Sequence, residues 1–330
     1  MNSPATISVV VDTEEEFDWS RPLSRENTAV TNVTYQERAH DIFRRYSVVP
    51  TYVVDYPVAD DPDAVAALSR LAENGEAEIG THLHPWVNPP HDETVTPFNS
   101  YAGNLPPRLE RAKLETLTDR ITGAFGQRPR VYRAGRYGLG PLTYTHLRDL
   151  GYYVDTSVVP YTSFIADGGP DYSEVGASVH WCSIDSGLLE VPLTTGFCGL
   201  MRRAGPLIYP RLTSRVGMRL RAPGIASRSG VLERIRLTPE GPNGSELKRL
   251  VRTLFADGQR HFVLSYHSPS LVPGNTPYVQ TADDLVRFLA SVETLLAYVI
   301  DELGIVPATV TEVYNRFAKR ERGQPTTYVT

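Results

Sequence analysis

Lysine is almost missing from this sequence. Of its 33 basic residues, only Lys113, Lys248 and Lys319 are not arginine. A base-composition bias in the source genome explains this more simply than anion recognition does. The 38 acidic residues leave a formal charge of −5, which argues against nucleic acid as the main partner. Cysteine is scarce too. Cys182 and Cys198 fit no CxxC-type spacing and are read as packed thiols rather than metal ligands. Two free thiols and one disulfide both remain open, and a chain of 330 residues needs neither for stability. No run reaches 18 apolar residues, so no membrane span is expected. The opening "MNSPATISVVVDTEEEF" lacks a basic start followed by an apolar stretch, so no secretory signal is expected and the expected location is the cytoplasm. Low-complexity tracts, solenoid repeats and obvious linkers are absent as well.

What is present is a regular alternation. With 41% hydrophobic and 22% charged residues, the composition is that of a globular chain with ample core. Short β-branched runs at 7–12, 48–59, 76–85, 128–138, 152–160, 187–197 and 260–270 read as strands. Amphipathic stretches at 34–46, 61–75, 107–126, 141–151, 244–258 and 281–304 read as helices, several of them closed by glycine. Strands and helices at this spacing predict βαβ units and a mostly parallel sheet. A single domain over 1–330, with an irregular insertion near 161–240, is expected.

The polar residues fall at strand ends. The first strand runs into "VVVDTEEEFDW", residues 9–19, where repulsion among the carboxylates calls for a cation. The second ends near Asp55, the third in His82 and His84. The fourth carries Arg133 and Arg136, the fifth ends in Asp155, and a late strand ends in His267. In parallel α/β folds these ends share one face, where functional sites gather. Alternate residues of an extended segment point the same way, so Asp12 and Glu14 share a side, and so do His82 and His84. Two imidazoles and a carboxylate with one open position are how a catalytic zinc is held. Glu15, Glu16 and Asp18 are expected in a solvated loop. His40, His146, His180 and His261 lie inside helix or strand patterns and are read as structural.

Taken in order, these segments resemble the polysaccharide deacetylases, the NodB-homology or carbohydrate esterase family 4 proteins. The resemblance covers roughly 5–275 and rests on "VVVDTEE", "EIGTHLHPW", "YRAGRYG", "YVDTSVVP" and "VLSYHSPSL"; a subgroup with "DTEEEFDW" and "HLHPW" looks most like this chain. It implies a distorted (β/α) barrel of about seven mostly parallel strands carrying one deacetylase-like catalytic domain. It also implies a hydrolase that uses metal-activated water to remove an acetyl group from an N-acetylated sugar or glycan precursor. The implied cofactor is a divalent metal, with Zn2+ the first expectation. By the same resemblance Glu14, His82 and His84 are metal ligands and Asp12 is the general base, oriented by Arg133. His267 is the general acid, paired with and tuned by Asp155. The family's histidines usually stand four apart. Here they stand two apart, which keeps His91 of "NPPHDE" as an alternative second imidazole. Thr13 splits the acid pair, so base and ligand stay open between Asp12 and Glu14. Two other functions are carried: hydrolysis of a non-sugar C–N bond of ureide or imide type, and a metal-free carbohydrate-binding relative. The insertion, through Tyr161, Trp181, Phe197, Arg202 and Arg203, is expected to cover the site and select the substrate.

Overall fold

A computed structural model describes residues 4–183 and 187–322. The strands are β1 (Thr6–Thr13), β2 (Thr51–Val54), β3 (Glu78–Leu83), β4 (Val131–Ala134), β5 (Val154–Asp155), β6 (His180–Trp181), β7 (Leu189–Glu190), β8 (Thr195–Cys198), β9 (Glu233–Arg236), β10 (His261–His267) and β11 (Val306–Pro307). The main sheet runs β10-β1-β2-β3-β4-β5-β7-β6, with β11 added against β1. Within this sheet every pairing is parallel except β6 with β7, so the expected core of about seven parallel strands is present. The sheet curls into a distorted (β/α) barrel. Between β7 and β10 the wall is continued by chain segments: Leu237 N donates to Thr194 O (2.8 Å) and Ser265 N donates to Leu237 O (3.2 Å).

Side-chain parity divides two apolar layers. Ile7, Val9 and Val11 of β1 face outward with Tyr52, Val54, Leu264 and Tyr266, against helices that supply Phe43, Leu68, Leu114, Leu250 and Val292. Val10, Val53, Val131, Val154 and Val263 face inward and meet Ala308, Val310 and Val313, which plug the N-terminal end of the barrel. The opposite end is left for polar side chains.

Several predicted strands are too long. The run 48–59 stops at Val54 because the Asp55 carboxylate accepts from Val58 N (2.9 Å) and Pro57 suits a first helical turn, so Tyr56–Asp60 is helical. The run 152–160 keeps only Val154–Asp155 in the sheet. The helix expected over 281–304 starts at a Thr281–Asp284 capping box, spans Ala282–Ala297 and continues as a wider turn through Glu302. The segment 161–240 holds the antiparallel β8–β9 ribbon and three short helices, Gly205–Leu212, Arg215–Arg219 and Ala222–Arg228. Cys182 and Cys198 are both free thiols. Among the described residues no helix is long and apolar enough to cross a membrane.

Candidate active site

At the C-terminal end of the barrel lies a cleft of about 500 Å³, with Asp12, Glu14, His82, His84 and His267 on its floor. Parity brings them there. Asp12 has the same parity as Val10 and sits opposite His267 across the β1–β10 pair, and His82 sits opposite Arg133 across β3–β4.

Three atoms that could ligate a metal converge. Glu14 Oε2 lies 3.2 Å from His82 Nε2 and 3.4 Å from His84 Nε2. His82 Nδ1 faces the Arg133 carbonyl (3.1 Å), which can only accept, so that nitrogen carries the proton and Nε2 presents a lone pair. His84 Nδ1 likewise donates to Glu15 Oε2 (2.7 Å). Burial, reinforced by the adjacent His84, pushes His82 well below the usual histidine range, and burial lowers His84 to about 4. Both rings are therefore neutral, as a metal ligand must be. Burial also drives the Glu14 carboxyl well above its ordinary value, with Glu15, Asp12 and Asp55 adding to the effect against the pull of His267. Its second oxygen, Oε1, is buried without a hydrogen-bond partner. A tetrahedral zinc site has ligand–ligand edges of about 3.4 Å. Two lone pairs, a carboxylate oxygen at those separations and an orphaned second oxygen fit a divalent cation. The pKa directions give a first test: ionising Glu14 to bind metal releases a proton, so metal affinity should fall as pH is lowered. Titration of the apoprotein with Zn2+ in two buffers of different ionisation enthalpy would show the release.

The open alternatives narrow. Asp12 is outside the converging set: its Oδ1 pairs with Arg133 Nη1, and its Oδ2 lies 3.7 Å from His267 Nε2. His91 is exposed and does not line the cleft.

Arg133 is fully buried rather than a surface cation. Besides Asp12 it donates to Ser265 Oγ (2.8 Å), Thr156 O (2.9 Å) and Thr156 Oγ1 (3.1 Å). Burial would raise Asp12, but Arg133, with His82 and His267, holds its carboxyl below the usual range.

Two expectations are corrected. Asp155 does not pair with His267. It neighbours inward-facing Val154, so its side chain points out of the barrel, where Ser157 Oγ donates to it (2.5 Å) and Glu190 is close by. The partner of His267 is Glu240, which accepts from His267 Nδ1 (2.8 Å) and from His267 N (3.0 Å). Desolvation disfavours the imidazolium, yet Glu240 and then Glu14 raise His267 well above the ordinary histidine range. Glu240 sits in "TPEGPNG", a turn with no strand to mark its direction. Only its lone carboxylate among Pro and Gly could have drawn notice. Glu15, expected in a solvated loop, is fully buried. It accepts from His84 Nδ1 and from Trp86 Nε1 (2.7 Å each), while Trp86 stacks on the His84 ring at 4.2 Å. Glu15, Asp55 and His84 also cluster, but those carboxylates already accept from His84, Trp86, Glu15 N and Val58 N. The group is thus the outer support that orients His84. The signal was the "HLHPW" spacing, which places a second N–H donor, Trp86, two residues after His84. Asp18 does lie in solvent, while Glu16 is half-buried and accepts from Thr31 Oγ1 and Asn32 N (2.7 Å each).

The insertion reaches the cleft differently from expectation. Phe164, Asp167 and Arg236 line it, whereas Tyr161, Phe197, Arg202 and Arg203 line a separate surface depression. Trp181 packs edge-on against Tyr314, away from the cleft.

No family model matches the chain, and no curated protein does. Solved structures do. A protein classed as a polysaccharide deacetylase from Mycobacterium smegmatis superposes with a TM-score of 0.55 at 15% identity, over 100% of this chain and 96% of its own. Puue allantoinase gives 0.55 at 14%, over 96% and 94%. A protein classed as a polysaccharide deacetylase from Pseudomonas aeruginosa PAO1 gives 0.53 at 15%, over 97% and 92%. With its curled, mostly parallel sheet, this chain shares the distorted (β/α)-barrel fold of these three structures.

Proposed function

We propose that the protein is a metal-dependent hydrolase that removes an acetyl group from an N-acetylated sugar or glycan precursor. The observation that carries this reading is the convergence of Glu14 Oε2 with two Nε2 lone pairs, at 3.2 and 3.4 Å, beside an acid and a base of opposite charge. Glu14, His82 and His84 hold the metal, with Zn2+ the first candidate. A divalent metal in this place polarises the acyl carbonyl and makes water a nucleophile near neutral pH. Asp12, kept ionised by Arg133, takes the proton of the attacking water. His267, kept charged by Glu240, gives a proton to the departing nitrogen. Each transfer is worth roughly 10²–10⁴-fold. The equal likeness to an allantoinase supports a second reading, hydrolysis of a non-sugar C–N bond.

Acetate release from a panel of N-acetyl sugars, beside ammonia or urea release from ureides, separates the two. Chelation should stop either reaction and added Zn2+ should restore it. Purified protein with no bound metal and no affinity for Zn2+ would sink both and favour a carbohydrate-binding relative.

The Glu240 assignment has its own test. His267 must be protonated to act, so activity is present below its pKa and lost as pH rises through it. Glu240→Gln removes the main raising charge. The alkaline limb of kcat should therefore move down toward about 6.5, the ordinary histidine value. Asp155→Asn should leave that limb in place. The reverse pattern in the pH–rate profiles would return the role to Asp155.

A further inference from the structure

The chain carries an acidic residue about every nine positions, yet none between Glu190 and Glu233. That gap holds seven arginines and no lysine. A base-composition bias explains the choice of arginine over lysine, but it does not remove acids from 42 consecutive positions. The structure places the three short helices of 205–228 in this stretch, and they are poorly covered. Leu207, Val216, Met218, Leu220 and Ile225 are 58–72% exposed. Around the middle helix only Gly217 is buried, against the Leu212 carbonyl, so 214–221 stands out from the body with side chains on nearly all sides. Arg211, Arg215, Arg219, Arg221 and Arg228 are exposed and have no carboxylate within ion-pair distance among the described residues. Arg202 and Arg203, by contrast, are tied to Asp257.

Exposed aliphatic side chains alternating with unpaired guanidiniums match a bilayer interface. The aliphatics enter the acyl boundary, while the arginines reach to the headgroup phosphates. Each basic side chain near an anionic surface adds about fivefold in affinity. A nucleic acid would use the charge but leave the aliphatics wet. An acidic protein would use both, but the depression beside these helices is lined by Arg202 and Arg203, which Asp257 already pairs, and the unpaired arginines lie outside it. We propose that the 200–228 segment docks the protein on an anionic phospholipid surface. The geometry connects this contact to the site. The last helix leads into β9 (Glu233–Arg236), whose end, Arg236, lines the cleft, and four residues later Glu240 holds His267.

The test is sedimentation of the purified full chain with vesicles of phosphatidylcholine alone and of phosphatidylcholine doped with phosphatidylglycerol. Binding to the anionic vesicles should be at least about tenfold tighter. Joint substitution R211Q/R215Q/R219Q/R221Q/R228Q should remove that preference. L207S/L220S/I225S should weaken binding most at high salt, where the charge is screened. All eight positions are exposed, and melting curves of the variants check that they fold. Equal partition to the two vesicle types, or a preference that survives the arginine substitutions, overturns the proposal. So does a stable dimer dissolved by these substitutions, which would make a second copy the occupant, or equal affinity for RNA, which would make the surface a generic polyanion contact. None of these readouts depends on the enzymatic activity.

Discussion

On the proposed mechanism, Asp12→Asn is expected to lower kcat by roughly 10²–10⁴-fold while leaving Zn2+ affinity unchanged. The substitution preserves shape and removes only the ability to take a proton. The three converging ligand atoms belong to Glu14, His82 and His84, and Asp12 contacts none of them at ligand distance; its oxygens face Arg133 and His267. Elemental analysis beside steady-state kinetics reads both halves of the expectation. Metal content that falls with activity would make Asp12 a ligand and move the base elsewhere. Glu14→Gln gives the complementary result: metal affinity should drop, because a carboxamide offers no charge to the cation. Restoration of Glu14→Gln by excess Zn2+, with no restoration of Asp12→Asn, would separate binding from proton transfer within one experiment.

Much of this site was legible in the sequence because β-strand parity is legible. Asp12 and Glu14 share a side, as do His82 and His84, and the strand order places them at one mouth. Parity also marks where the reading failed. Asp155 follows an inward-facing valine by one residue, so it had to point outward; its strand was read as 152–160, and the two-residue pairing that fixes the face was not visible. Glu240 was invisible for a different reason. It lies outside any periodic segment, and its approach to His267 depends on the chain after β9 running beside β10, a contact formed over 27 residues of sequence. Glu15 was misread because a carboxylate next to four other acids looks solvated until its donors, His84 and Trp86, are known to lie 69 and 71 residues away.

The same geometry predicts that Arg133 holds the barrel together as well as the base. Its guanidinium ties the end of β1, through Asp12, to Ser265 of β10 and to Thr156 just beyond β5, all without solvent. Arg133→Met keeps an unbranched side chain but removes the guanidinium, leaving the buried Asp12 carboxylate with only the more distant His267 (3.7 Å) as counter-charge, at a cost of about 3–5 kcal/mol in unfolding free energy at neutral pH. The pH dependence should be diagnostic. In the native protein the Asp12 pKa is depressed, so the pair contributes stability that is present above the unfolded carboxyl's pKa and lost as pH falls through the lower folded value. Without the guanidinium, burial becomes the dominant influence and the folded pKa rises above the unfolded one. The deficit of the variant is then greatest at neutral pH and shrinks as pH falls through that raised value and Asp12 takes up its proton. Denaturant melts of both proteins across a pH series measure this difference directly. Arg133→Met combined with Asp12→Leu should recover much of the lost stability, because no unpaired charge remains, while staying inactive. A loss below about 1 kcal/mol for Arg133→Met, or one that does not change with pH, would show that the pair is screened by water and that Asp12 owes its ionisation to something else.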